Sequence, residues 1–149
     1  MRAVIQRVKS GRVLVAGQVI GAIDTGLLVY AGAAPDDAVA DIEFIADKIA
    51  HLRVFSDADG KMNLDVGQAG GAVLIVSAFT TQADARKGRR PSFDSAAPGP
   101  VAEPLIEQLV ARVRNAGLRV ETGKFAAEML VESVNDGPIC VLVDSRRVF

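Results

Sequence analysis

Most of the chain consists of short runs of Val, Ile and Leu that glycine and turn residues interrupt, and only two stretches carry a helical period. The first helix is predicted from after Asp36 to about Ala50, and the second from about Val101 to Ala116. The aliphatic runs predict eight strands: Ala3–Val8, Arg12–Val15, Gln18–Ile23, Leu27–Ala33, Leu52–Phe55, Val73–Ala78, Leu130–Val134 and Ile139–Val143. This pattern predicts an α+β fold in which two helices cover a sheet.

Two short turn motifs connect the first predicted strands. Ala16-Gly17 follows Val15, and Asp24-Thr25-Gly26 precedes Leu27. Both are suited to hairpin connections, because Gly and Asp tolerate the backbone angles that tight turns require. We therefore expect the first 33 residues to form an antiparallel meander, and all 149 residues, 1–149, to form a single domain.

The cysteine and histidine content limits the chemistry of the chain. Cys140 is the only cysteine and His51 the only histidine, which excludes an intrachain disulfide and a zinc site built from several Cys and His ligands. We expect no metal and no cofactor, since the glycine-rich patterns that hold nucleotide phosphates are missing. The chain has no Gly-x-Ser-x-Gly motif that would supply a serine nucleophile for His51 to activate, so we predict that His51 is a partly buried structural histidine. A hydrolase of this sequence would have to work without an imidazole.

The apolar stretches of the chain predict neither export nor membrane insertion. Arg2 and Arg7 interrupt the N-terminal apolar residues, where a secretory signal requires an uninterrupted run. The longest uncharged stretch, Val66–Ala83, contains too many Gly, Ser, Thr and Gln residues to span a bilayer. We expect a cytoplasmic protein that does not associate with membranes.

Charge is nearly balanced over the whole chain. There are 17 Lys and Arg residues against 18 Asp and Glu residues, so no global field would attract nucleic acid. One local cluster stands out, with four cations in five residues: Arg86, Lys87, Arg89 and Arg90. Two interpretations stay open, a solvated loop and a surface that contacts phosphate groups.

Two short polar segments lie at the ends of predicted strands. Ser77-Ala78-Phe79-Thr80 follows the apolar run Val73–Val76, and Asn135-Asp136-Gly137-Pro138 lies between two predicted strands. By residue type alone, the first is a strand that leaves the core. The second is then an Asp-Gly turn with a proline that starts the next strand.

Taken together, these segments resemble the D-aminoacyl-tRNA deacylase family, from Met1 to about Asp144. The resemblance rests on both segments at matching separation and on four further features: Arg7, Lys61–Leu64, Arg86–Phe93 and Glu121–Phe125. Two positions depart from the family's signatures, since Ala78 stands where the family has Gln and Cys140 where it has Thr. Residues 145–149 lie outside the resemblance, and we expect them to form a tail.

The resemblance implies a homodimeric hydrolase whose mostly antiparallel, barrel-like sheet is covered by the two helices. Its implied reaction is hydrolysis of the ester that joins a D-amino acid, or glycine mischarged on tRNA(Ala), to the 3′ end of tRNA. Such an enzyme acts in translation quality control. The chemistry suits a chain without a catalytic imidazole, because an aminoacyl ester is already activated and the neighbouring ribose 2′-hydroxyl is a candidate catalytic group.

The resemblance also assigns residues to chiral selection. Gly137 and Pro138, joined by a cis bond and supplied by the partner subunit, would direct two backbone carbonyls at the substrate's α-ammonium. An L side chain would then collide with this motif, whereas a D side chain would point away. Arg7 is implied to fix the motif, and Asn135 and Ala78 belong to the same substrate-binding set.

The catalytic set that the resemblance implies is Ser77, Phe79 and Thr80. Phe79 would direct its backbone N–H at the developing oxyanion. Thr80 would orient the substrate or act as the nucleophile, and attack by water assisted by the tRNA 2′-hydroxyl is the competing mechanism, because no activating base is visible. The tRNA-binding set is the cationic cluster: Arg86, Lys87, Arg89 and Arg90.

Two other functions stay open at this point. The replaced residues Ala78 and Cys140 allow a non-catalytic RNA-binding module with the same fold. A relative with a trans Gly-Pro bond would instead clear a different mischarged amino acid, for example L-alanine.

Overall fold

The computed structural model describes residues 1–148, which form eight strands, two α-helices and one 3-10 turn. The strands are β1 (Arg2–Val15), β2 (Gln18–Ile23), β3 (Gly26–Gly32), β4 (Phe55–Ser56), β5 (Met62–Leu64), β6 (Ala72–Ser77), β7 (Val120–Thr122) and β8 (Leu130–Asp144). The helices are α1 (Val39–His51) and α2 (Gly99–Asn115), and the 3-10 turn is Phe79–Gln82.

β1 is the centre of a six-stranded mixed sheet. It pairs antiparallel with β2, β3 and β8, and the sheet continues from β3 to β6 and β7 through parallel pairing. The sheet curls until β2 approaches β7, where a Cβ on Gly21 would lie only 2.5 Å from the carbonyl oxygen of Thr122. The fold is therefore α+β with a mostly antiparallel, barrel-like sheet, which confirms the predicted fold class.

The predicted meander is wrong, because β1 is one strand rather than two. β8 pairs with Ser10 and Gly11, so the ladder continues through the polar stretch that separates the two predicted strands. β3 pairs with residues 2–8 of β1 and β2 with residues 11–15, which places β1 between β2 and β3. The last two predicted strands likewise form the single strand β8.

Both helices begin at positions that their first residues determine. α1 begins at Val39, because the Asp41 carboxylate accepts a hydrogen bond from the Ala38 N–H at 2.8 Å and caps the helix there. α2 begins at Gly99, two residues before the predicted start. Pro100 is compatible with this first turn, since an N–H at that position has no acceptor within the helix.

Two layers of apolar side chains hold the helices and the sheet together. The side chains of α1 and α2 that face the sheet are fully buried, among them Ile42, Ile45, Ile49, Leu109 and Val113. A second cluster fills the inside of the curled sheet: Val8, Val13, Ile23, Leu28, Ala72, Leu74 and Val76. Alternation along the strands produces this division, because successive side chains point to opposite faces.

Some local predictions fail for short elements. The predicted strand Leu52–Phe55 is replaced by β4, which begins at Phe55 and pairs with β5. β5, β7 and the 3-10 turn contain three or four residues each, too few to show a periodic pattern. His51 is exposed and its Nδ1 lies 3.0 Å from the Asp47 carboxylate, so the prediction of partial burial is wrong.

No helix in residues 1–148 is long and apolar enough to cross a membrane.

The residues that follow β8 pack along α1. The Ser145 hydroxyl donates to the Asp41 carboxylate at 2.6 Å, and this hydrogen bond lowers the pKa of Asp41. The Arg147 guanidinium lies over the Phe44 ring, 5.5 Å from its centroid. The last residue of the expected tail, Phe149, lies outside the described residues.

Candidate active site

The Ser77–Thr80 segment leaves the sheet at the end of β6. The Ala78 N–H donates to the Ala31 carbonyl of β3 at 2.8 Å, and the chain then turns at Phe79. Phe79 and Thr80 are exposed. Within residues 1–148 the Phe79 N–H donates to no acceptor, because the first N–H of a helical turn has no partner inside that turn. This segment therefore presents a backbone donor and a hydroxyl to a ligand.

A cavity of about 710 Å³ opens beside this turn. Its walls are mostly apolar and include five large side chains: Tyr30, Phe79, Phe93, Phe125 and Met129. Phe79 and Phe93 meet edge to face with their ring centroids 5.1 Å apart. An apolar cleft with few polar groups at its rim is typical of a small-molecule or cofactor-sized site.

Several of these cavity residues escaped prediction from the sequence. Tyr30, Phe93 and Met129 come from β3, from the loop before α2 and from the segment before β8. Their positions along the chain give no local signal that they meet. Burial raises the pKa of Tyr30, so its phenol stays protonated and is a hydrogen-bond donor at neutral pH.

The Gly137–Pro138 segment projects from β8 because the strand register is interrupted. Cys140 pairs with Gln6 and Asn135 with Val8, so four residues of β8 lie opposite one residue of β1. The surplus residues form a projecting turn in which Gly137 and Pro138 are exposed and Asp136 and Ile139 are half-buried. Gly137 has a φ of +127°, a conformation that favours glycine, and the Gly137–Pro138 peptide bond is cis, the isomer that the resemblance implies.

The side chains of Arg7 and Asn135 both form hydrogen bonds with the backbone of this turn. Arg7 is the single β1 residue opposite the projecting segment, and its side chain is only 12% exposed. Its guanidinium donates to the backbone carbonyls of Asp136 and Val54, at 3.3 and 2.5 Å, and lies 3.1 Å from the Asp136 carboxylate. The Asn135 amide donates to the carbonyls of Arg7 and Ile139 at 3.2 and 3.1 Å. Both side chains therefore fix the backbone of the turn.

The two predicted segments do not meet within one chain. The Gly137–Pro138 turn projects from β8 opposite Arg7 of β1. Arg7 pairs with Leu27 of β3, and Leu27 pairs with Val73 of β6. Three strand spacings separate β8 from β6, about 14 Å, and Ser77 lies a further four residues along β6, about 13 Å. Gly137 is not among the residues that line the cavity.

The cationic cluster occupies a loop closed by an antiparallel bridge between Asp84 and Ser92. Arg86 forms an ion pair with Asp84, with atoms 2.6 Å apart, and its hydrogen bonds hold the pKa of the Asp84 carboxyl well below its usual range. The remaining cations are exposed and have no ion-pair partner in the described part of the chain: Lys87, Arg89 and Arg90. The loop therefore presents three uncompensated charges on the chain segment between Phe79 and Phe93.

The two departures from the family's signatures have different surroundings. Ala78 is half-buried at the start of the turn and lines the cavity. Cys140 is exposed, and the Gln6 amide lies 3.8 Å from its sulfur.

Comparison with known proteins gives the family. A family model described as D-Tyr-tRNA(Tyr) deacylase matches residues 4–144. A protein named D-aminoacyl-tRNA deacylase from Anaeromyxobacter dehalogenans is 56% identical over 149 residues, which is all of both chains. A protein of the same name from Heliobacterium modesticaldum is 54% identical over 98% of this chain and 97% of its own. The chain belongs to the D-Tyr-tRNA(Tyr) deacylase family.

A solved structure supports the fold independently. The structure titled c-Myc DNA Unwinding Element Binding Protein superposes with a TM-score of 0.91 and is 36% identical in sequence. The match covers 97% of this chain and 98% of that chain. The family match ends at residue 144, where the segment that packs along α1 begins.

Proposed function

We propose that the protein hydrolyses the ester bond of D-aminoacyl-tRNA and releases the free D-amino acid and the tRNA. Its family makes it an enzyme of the D-aminoacyl-tRNA deacylase class, a hydrolase that acts on aminoacyl-tRNA. The observation that carries the proposal is the unengaged Phe79 N–H at the rim of an apolar cavity. The proposed setting is proofreading of charged tRNA in the cytoplasm.

The proposed reaction requires little side-chain chemistry. Water attacks the ester carbonyl, with the tRNA 2′-hydroxyl assisting removal of its proton, and the Phe79 N–H donates to the oxyanion that forms. The carbon–oxygen bond to the ribose then breaks, and the ribose oxygen takes the proton. Thr80 and Ser77 orient the ester. His51 is not among the residues that line the cavity, which fits a mechanism without an imidazole.

Chiral selection is proposed to come from the Gly137–Pro138 turn of a second copy of the chain. The turn is exposed and firmly held by Arg7 and Asn135, yet it lies far from the cavity of its own chain. In a partner's cavity its backbone would bind the α-ammonium and occupy the space that an L side chain needs. Glycine has no side chain to reject, so glycyl-tRNA, including glycine on tRNA(Ala), is a second proposed substrate.

An uncovered region of the sheet supports the homodimer. Val4 pairs with Tyr30 on β3 and with Leu142 on β8, and such paired residues project from the same face of a sheet. Leu142 is 60% exposed. This face reaches the cavity at Tyr30 and includes Cys140, two residues from Pro138. A two-fold contact across it would bring each turn towards the other copy's cavity. Each copy is proposed to be one domain, residues 1–149, with 145–149 as a tail.

The tRNA is proposed to contact the cationic loop. Lys87, Arg89 and Arg90 are the exposed cations without an ion-pair partner in that loop of residues 84–92. The loop joins two residues of the cavity wall, Phe79 and Phe93. An RNA whose 3′ end enters the cavity would therefore have phosphate groups close to these charges.

The defining experiment compares three substrates with the purified protein. D-tyrosyl-tRNA, L-tyrosyl-tRNA and glycyl-tRNA are incubated separately, and the release of each amino acid is followed. We expect hydrolysis of the D-tyrosyl and glycyl esters with the L-tyrosyl ester intact. Inertness towards all three would favour a non-catalytic RNA-binding module, and hydrolysis of the L ester would contradict the proposed chiral selection.

The shared site has its own test, based on mixing two inactive variants. Phe79→Pro removes the oxyanion donor, and Gly137→Ala strains the turn because residue 137 has a φ of +127°. If each site combines one copy's Phe79 with the other copy's Gly137, random reassortment leaves about one quarter of all sites with both residues intact. We therefore expect about a quarter of wild-type turnover after the dimers exchange subunits.

The control for this mixture uses the double variant. Phe79→Pro mixed with a chain that carries both substitutions cannot form an intact shared site, so no turnover is expected. If the two single variants also fail to restore turnover when they form mixed dimers, Phe79 and Gly137 do not act across the subunit interface.

A further inference from the structure

Gln82 is an unusual residue in the described part of the chain, because it is polar and almost completely buried. Its side chain is 3% exposed and lies at the last position of the Phe79–Gln82 turn. Its amide nitrogen donates to the Gly32 carbonyl at the end of β3, at 2.7 Å. Its backbone carbonyl accepts a hydrogen bond from the Ser95 hydroxyl at 2.8 Å. Burying a side-chain amide costs free energy unless hydrogen bonds replace those it made with water, so the contact between the Gln82 amide and the Gly32 carbonyl is important for this position.

The contact joins the turn to the sheet at its far end. At the near end, the Ala78 N–H already donates to Ala31. Between these two points the turn lies directly against β3, since a Cβ on Gly32 would collide with the Thr81 hydroxyl. Gln82 and Ala78 therefore anchor the two ends of the segment that contains Phe79.

The turn is a single short 3-10 segment, and the backbone hydrogen bonds that flank it are local. Thr81 N–H donates to the Ala78 carbonyl at 3.1 Å, and Ala83 N–H donates to the Thr80 carbonyl at 3.1 Å. A 3-10 segment this short has poor hydrogen-bond geometry and depends on outside contacts for its shape. Without the Gln82 amide, the buried Gly32 carbonyl would lose the hydrogen bond that ties it to the turn, which favours a shift of the turn.

We propose that Gln82 is a positioning residue that holds the Phe79 N–H in the direction of the substrate carbonyl. This inference rests on the proposed hydrolysis of D-aminoacyl-tRNA, in which that N–H binds the oxyanion. Gln82 itself does not touch the substrate, because it is absent from the cavity wall. Its effect must therefore appear in the chemical step and not in substrate binding.

The first test replaces Gln82 by Leu, which has a similar volume and no donor. Hydrolysis of D-tyrosyl-tRNA is measured as kcat and KM, and thermal unfolding shows whether the variant is folded at the assay temperature. We expect kcat to fall by about tenfold or more with KM within about twofold, since a small displacement of a catalytic donor lowers the rate steeply. Gln108→Leu, at an exposed position of α2, is the matched control and should keep both constants.

The second test replaces Gln82 by Glu and varies the pH. A protonated carboxyl donates to the Gly32 carbonyl as the amide does, whereas a carboxylate cannot. The ratio of variant to wild-type kcat should therefore rise as the pH is lowered from 8 to 5. The pH dependence of the Gln82→Glu variant can be measured even if Gln82→Leu does not fold. If Gln82 only stabilised the fold, the ratio of variant to wild-type kcat would not change with pH in folded protein.

The outcomes separate this inference from the function on which it rests. An active wild type with unchanged kcat in folded Gln82→Leu, or a pH-independent ratio for Gln82→Glu, overturns the role of Gln82 and leaves the proposed hydrolysis intact. A wild type that hydrolyses no D-aminoacyl ester overturns both. Reduced kcat with unchanged KM, restored at low pH in the Glu variant, supports the positioning role.

Discussion

Replacing Phe79 by Pro removes the backbone N–H that the proposed mechanism uses as the oxyanion donor, and so tests that donor separately from the side chain. Proline has no N–H, and it is tolerated at the first position of a helical turn, where the N–H has no internal acceptor. The preceding residue, Ala78, has φ −146° and ψ 92°, which is extended backbone outside the α region that a following proline disfavours. The substitution therefore removes the donor with little demand on the backbone.

The matched variant is Phe79→Ala, which keeps the N–H and removes only the ring. The Phe79 ring is 58% exposed and meets Phe93 edge to face, a contact of about 0.5–1.5 kcal/mol. Losing it should alter KM more than kcat. Losing an oxyanion donor costs about 2.7–4 kcal/mol, or roughly 10²–10³ in kcat. Phe79→Pro should therefore be at least about 100-fold slower than Phe79→Ala.

Single-turnover hydrolysis of D-tyrosyl-tRNA measures this ratio directly, because it separates the chemical step from product release. Circular dichroism and thermal unfolding establish that both variants are folded. If the two folded variants hydrolyse the ester at the same rate, the Phe79 N–H does not stabilise the oxyanion, and the proposed mechanism is wrong.

Three further changes test other parts of the molecule. Arg89→Ala should lower the slope of log affinity for tRNA against log salt by about 0.7–0.9, whereas Arg86→Ala should change it less, because Arg86 is already in an ion pair; equal slopes would contradict the assignment. Thr80→Val should keep turnover within about threefold if water is the nucleophile, and a loss of about 100-fold with unchanged tRNA binding would instead indicate attack by Thr80. Ser145→Ala removes the main cause of the lowered pKa of Asp41, so it should reduce the free energy of unfolding by about 0.5–1 kcal/mol at neutral pH after solvent screening. The Ser145 hydroxyl also accepts a hydrogen bond from the Met1 ammonium at 2.8 Å, and this contact persists in acid. Because the folded pKa of Asp41 is below the ordinary 3.8, the destabilisation by Ser145→Ala should become smaller as the pH falls through the folded pKa of Asp41, and a pH-independent difference in urea unfolding would refute the cause.

The local elements were largely predictable because their signals are local. The apolar period placed both helices within two or three residues of their observed starts, and the runs of Val, Ile and Leu placed most strands. The errors fall where a neighbouring strand changes the outcome. Ser10 and Gly11 look like a break in the sequence, yet pairing with β8 keeps them in β1.

The candidate site was predictable as two separate segments but not as an arrangement. Ser77–Thr80 and Asn135–Pro138 are recognisable because their residue types and order are specific. The sequence does not show that Tyr30 and Met129 line the same cavity as Phe79, since these residues are distant along the chain. Nor does it distinguish Gln82 from the exposed glutamines, because burial depends on what packs around a residue.

The sequence by itself determined the types of the main elements, the positions of the tight turns and the family, since each depends on residues that lie close together in the chain. Only the tertiary structure decided that β1 lies between β2 and β3, that the Gly137–Pro138 turn projects opposite Arg7, and that this turn lies far from its own chain's cavity. The physical reason is strand register. Hydrogen-bond pairing between distant segments sets which residues face each other, and the shift of β1–β8 register between Gln6 and Val8 produces the projecting turn.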